Sequence, residues 1–87
     1  MKRIPGFVLQ VVEEDTFAVA VTPEATEKGS MIKLNSTAAF LFAFLEEEHS
    51  EDECIAALTA QFSVDADTAA RDVRRFLEGL RAAGLLL

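Results

Sequence analysis

The side chains that could do chemistry are few: one His, one Cys and no Tyr or Trp in 87 residues. His49 and Cys54 stand five apart, a spacing that could hold a thiol nucleophile beside its base. The plainer reading makes Cys54 a small helix residue next to the core and His49 a solvated corner residue, in keeping with the packing habits of free cysteine. Six carboxylates fall between Glu46 and Glu53, yet no calcium-loop pattern and no repeated Cys or His spacing accompanies them. They read as a solvated acidic corner, with no metal site implied. Half of the eight basic residues, Arg71, Arg74, Arg75 and Arg81, cluster in one stretch, as a DNA-reading helix would require. Asp67, Asp72 and Glu78 offset three of these four charges. Mixed-sign pairs on a surface helix, Arg74 with Glu78 among them, account for the same residues.

The elements that must position these groups follow from periodicity. Residues 7–12 (FVLQVV) and 16–21 (TFAVAV) are rich in β-branched and aromatic residues and flank Glu13-Glu14-Asp15, which predicts a hairpin. Either Phe7, Leu9 and Val11 or Phe17, Val19 and Val21 should line the core. Residues 22–30 hold Pro23 and Gly29 and read as a loop. Met31-Ile32-Lys33-Leu34 is long enough for a short third strand, placed at a sheet edge.

Asn35 can cap a helix over about 36–48, in which Ala38, Leu41, Phe42 and Leu45 form one apolar stripe. Phe40 and Phe44 fall on its opposite side, where a single small core would leave two adjacent rings exposed. Ser50 and Glu53 have capping-box spacing and start a second helix over about 51–61. Asp65 can cap a third over about 66–83, with Ala69, Val73, Phe76, Leu77 and Leu80 as its stripe and Gly84 as its stop. Gly79 inside that helix suggests close approach by another segment. Three antiparallel strands followed by three helices form a single α+β domain, winged helix-turn-helix-like, spanning residues 1–87.

A formal charge of −7 and a pI near 4.5 oppose a polyanionic partner, so no nucleic acid is expected and a neutral or basic polypeptide fits better. No apolar run long enough for a membrane span or signal peptide is present, and the expected location is cytoplasmic.

The run Leu34-Asn35-Ser36-Thr37-Ala38-Ala39-Phe40-Leu41-Phe42, the Ser-capped acidic helix, and Asp72-Val73-Arg74-Arg75-Phe76-Leu77 through Gly84-Leu85-Leu86 resemble the pyrroloquinoline quinone biosynthesis protein D (PqqD) family. Phe42 stands where many relatives carry Trp. The resemblance implies a non-catalytic recognition element without cofactor, which binds the leader of a ribosomally made precursor peptide and presents it to a modifying enzyme. A radical S-adenosylmethionine enzyme or a lasso-type protease and cyclase system would be that enzyme. The leader would add as a strand to the edge at Met31, Ile32, Lys33 and Leu34, in a groove walled by the third helix. Helical geometry offers two flanks for the wall: Asp72, Arg75, Phe76 and Gly79, taken here as the groove side, or Ala70, Arg74, Leu77 and Arg81. Phe40 and Phe44 are assigned to docking of the enzyme or of a second copy in a homodimer. The alternative function is that of a winged-helix DNA-binding regulator.

Overall fold

A computed structural model describes all 87 residues. Strands β1 (Phe7–Val12) and β2 (Asp15–Ala20) form the expected hairpin, and β3 (Met31–Leu34) completes an antiparallel sheet of order β1-β2-β3. The hairpin turns on Glu13-Glu14, and Glu13 adopts φ 60°, the positive value that two-residue hairpin turns demand. The predicted loop between β2 and β3 is instead a short helix, α1 (Pro23–Lys28). Thr22 caps it by accepting the Ala25 N–H, Pro23 supplies the preset φ of a first turn, and Gly29 follows its end. Six residues cannot hold a helix alone. Burial of Ala25 provides the rest, and Gly6 makes room for it: a Cβ there would come within 2.3 Å of Thr22 Oγ1.

The inward face of the sheet carries Phe7, Ala18, Ile32 and Leu34, as the register Leu9↔Ala18↔Ile32 requires. On β1 only Phe7 of the expected row is buried. On β2 the inward residues are the small Ala18 and Ala20, whereas Phe17 and Val19 face outward with Met31. Small residues on β2 leave space for the rings of Phe7 and Phe42, which meet edge to face at 5.6 Å.

Helix α2 (Ser36–Phe44) starts at Asn35, whose side chain accepts the Ala38 N–H at 2.9 Å. It ends four residues earlier than expected. The N-terminal segment intervenes: the Arg3 N–H donates to Leu45 O and its Nε to Phe42 O, occupying carbonyls at the end of α2. Buried Arg3 also lies over the Phe42 ring at 4.4 Å, and burial lowers its pKa despite the opposing field of Glu46.

Helix α3 (Glu51–Gln61) begins with the complete capping box, Ser50 and Glu53 each accepting the other's backbone N–H. Helix α4 (Ala66–Ala82) begins at Asp65, which accepts the Thr68 N–H at 2.7 Å. It closes at Gly84, φ 74°, with Gly84 N–H to Arg81 O and Leu85 N–H to Leu80 O. That pair of bonds makes a Schellman turn and folds Leu85 back against the core. The three side-chain-capped helix starts, Ser36, Glu51 and Ala66, fall where the sequence places them, as does the end of α3, and α4 ends one residue short of 83.

Candidate functional site

The sheet order leaves β3 at an edge. The Ala20 N–H donates to Ser30 O, and antiparallel bonding repeats at every second residue, so Ile32 and Leu34 pair with β2. The N–H and C=O groups of Met31 and Lys33 therefore point away from the sheet. Their side chains take the outer face: Met31 is exposed and Lys33 lies 3.6 Å from Asp15. Ile32 and Leu34 point the other way, into a groove between β3 and α4 with a volume of about 540 Å³.

The groove joins several elements. Asp72, Arg75, Phe76 and Gly79 of α4 line one wall, so all four residues of the chosen flank face it. None of the rival flank does: Leu77 is buried in the core, and Arg74 Nε meets Glu51 Oε2 at 3.2 Å on the α3 side. The partner of Arg74 is thus Glu51 rather than the expected Glu78. Ala38, Leu41, Leu80 and Leu85 contribute further apolar lining, and Asn35, Thr37 and Lys28 polar lining. A Cβ at Gly79 would meet nothing within 4 Å. No segment of this chain approaches Gly79; it opens onto the groove instead. Lys28 lies outside the residues that the sequence marks as a site, because the sequence of its helix reads as loop. The Thr22-Pro23 cap and the basic last turn before Gly29 were the signals that could have revealed it.

The thiol-imidazole pair does not make a reactive centre. Cys54 is fully buried, and desolvation pushes its thiol up, away from the thiolate that attacks. His49 is not the solvated corner residue expected. Its ring stacks on Phe44 at 3.8 Å, and its Nδ1 is buried without a hydrogen-bond partner, 3.7 Å from Glu53 Oε1. The carboxylates 46–53 form no cluster able to hold a metal ion.

Phe40 and Phe44 lie outside the groove. They are half-buried rather than exposed, stacked on each other at 6.1 Å, with Phe62 edge-on to Phe40 and His49 over Phe44. Phe62 at the end of α3 and His49 at the corner before it cover the rings, which also pack against the core.

With this geometry in view, the sequence profile described as "Coenzyme PQQ synthesis protein D (PqqD)" matches residues 18–86. The chain belongs to the PqqD family. Two solved structures resemble this PqqD-family domain over 99% of its length. One, described as TbiB1 in complex with the TbiA(beta) leader peptide, is 27% identical, is covered over 94% of its own chain and has a TM-score of 0.72. The other, lasso peptide synthetase B1 complexed with the leader peptide, is 22% identical, is covered over 95% and has a TM-score of 0.70; it supports the fold. No curated protein sequence gives a significant match. No helix of the domain is long and apolar enough to cross a membrane.

Proposed function

We propose that this PqqD-family domain is a non-catalytic recognition element. It binds the leader of a ribosomally synthesised precursor peptide by strand addition and presents the peptide to a modifying enzyme. The observation that carries the reading is a free strand edge, at Met31 and Lys33, opening onto an apolar groove walled by Asp72, Arg75, Phe76 and Gly79. Main-chain hydrogen bonds to that edge supply affinity without regard to sequence, while the groove selects alternate side chains. The similarity to two chains bound to leader peptides supports the same assignment.

The enzyme partner is of the lasso protease and cyclase type or a radical S-adenosylmethionine enzyme, and the half-buried Phe40–Phe44 stack, outside the groove, is the proposed place where it or a second copy docks. Replacing one ring at a time by Ser should preserve leader affinity and weaken association with the enzyme. For the main reading, titration calorimetry against the leader of a precursor encoded beside this chain should give saturable one-to-one binding. Binding to duplex DNA with none to the leader would reverse it. No feature favours the DNA-binding alternative: of the four arginines, Arg74 is tied to Glu51 and Arg75 lines the groove.

A further inference from the structure

The groove is not electrically uniform, although its floor is apolar. Asp72 and Arg75 sit one helical turn apart on α4, so their opposite charges balance locally. Among the groove-lining residues no acid stands one turn from Lys28; Glu24 and Glu27, its neighbours in α1, do not line the groove. The ion pairs of the molecule engage Glu48, Asp15, Glu53 and Glu51, and none involves Lys28. Its own i−4 neighbour Glu24 is not within pairing distance, nor is Glu27, although both border the shallow cleft behind it.

The position of Lys28 follows from the end of α4. A Cβ built on Gly84 would lie 3.2 Å from Lys28 Nζ and 3.6 Å from both Cδ and Cε, so the stem of Lys28 crosses the Schellman turn where Gly84 has no side chain. The ammonium is thereby held at the C-terminal end of α4, beside the start of β3. Asp72 lies twelve residues before Gly84, roughly 18 Å away along the helix at 1.5 Å per residue. A strand docked on β3 would cover that distance with about five residues.

We propose that Lys28 is a specificity residue that selects an acidic side chain in the docked peptide. The bound segment then reads as alternating apolar residues over Ile32, Leu34 and Phe76, with Asp or Glu at the Lys28 end. The inference rests on the peptide-binding reading above, and it adds the chemistry of the ligand and the end of the groove that reads it. It also separates local from global charge: the molecule carries −7, yet the charged residues lining its groove are two basic, Lys28 and Arg75, and one acidic, Asp72. A purely structural role is the competing account, because an ammonium at a helix C-terminus also complements the helix dipole.

The experiment selects a displayed library of random peptides against the full chain and against Lys28→Glu and Lys28→Gln, after circular dichroism has checked the fold of each. The wild type should enrich Asp or Glu at one fixed distance from the alternating apolar positions, Lys28→Glu should enrich Lys or Arg there, and Lys28→Gln should show no charge preference. In a single selected peptide, reversing the acidic residue should weaken binding to the wild type about tenfold and restore it with Lys28→Glu. Peptides enriched by the wild type without an acidic position, or with one that Lys28→Glu and Lys28→Gln leave unchanged, would overturn the proposal while sparing the peptide-binding reading. Should Lys28→Glu fail to fold, Lys28→Gln decides by keeping or losing the preference. Absence of any enriched peptide would overturn both readings together.

Discussion

The same three-stranded sheet has two free edges, and only one of them has a wall beside it. On β1 the bonding pattern set by Val21 N–H to Gly6 O turns the backbone groups of Phe7, Leu9 and Val11 outward, as it does for Met31 and Lys33 on β3. Beyond Phe7, β1 is exposed along its whole length, with Val11 68% accessible. Apart from Phe7, whose ring meets Phe42, the helices pack on β2 and β3, and the groove draws no residue from β1. Both edges offer hydrogen bonds, but β3 alone combines them with pockets for alternate side chains. An edge by itself is a generic template for pairing. In the proposed function, the helix alongside β3 would turn that template into a selective site.

The largest expected effect comes from proline at equivalent positions of the two edges. Lys33→Pro removes an outward N–H from β3 without breaking a bond to β2, so leader affinity should fall at least about tenfold, the worth of one hydrogen bond. Val11→Pro makes the same change on β1 and should leave affinity within about twofold. Thermal melts establish that both variants fold. An equal loss in the two would erase the distinction between the edges. Ile32→Pro supplies the contrast, since its N–H faces β2 and its loss should lower the melting temperature.

The wall is tested at Gly79. Gly79→Leu should fill the groove and reduce affinity about tenfold, whereas Gly79→Ala, with open space around the new methyl, should stabilise α4 by about 0.5–1 kcal/mol. Unfolding curves and binding isotherms for the two variants separate occlusion from helix propensity. Unchanged affinity in Gly79→Leu would move the site to another part of the molecule.

On the β1 side, Glu13→Gly relieves a non-glycine residue of its positive φ and should change stability by less than about 1 kcal/mol, with no effect on leader affinity. An affinity change detected by calorimetry would couple the hairpin turn to the groove.

The smallest effect is that of acid on the caps. The Thr68 N–H holds the Asp65 carboxyl below its ordinary range, and the Ser50 N–H does the same for Glu53. A depressed folded-state pKa contributes stability that is fully present above the unfolded value and is lost as pH falls through the folded one. Amide protection factors, corrected for the intrinsic exchange rate at each pH, should therefore fall in the first turns of α3 and α4 as pH drops below about 4, before those of the β1–β2 hairpin change. Asp65→Asn retains an N-cap acceptor and should remove the α4 part of that dependence.

Local chemistry made much of this molecule legible from its residues. Asn35, Ser50 with Glu53, and Asp65 each start a helix because a short polar side chain satisfies a nearby backbone N–H, and Gly84 ends α4 because it adopts a positive φ. Period-three-and-four spacing likewise put Asp72, Arg75, Phe76 and Gly79 on one flank. Which flank met the groove was settled by the packing of α3 against α4, which buries Leu77 and ties Arg74 to Glu51. Long-range contacts also decided what no window of sequence contains. Arg3 ends α2 early by taking carbonyls 39 and 42 residues away, Ala18 lies inside while Phe17 lies outside, and His49 and Phe62 cover the rings of α2. Lys28 reached the groove in the same way, from a six-residue helix whose stability comes from burying Ala25 and whose side chain passes over Gly84. Caps and periods act over a few residues and can be read along the chain, whereas burial depends on which distant surface arrives to cover a side chain.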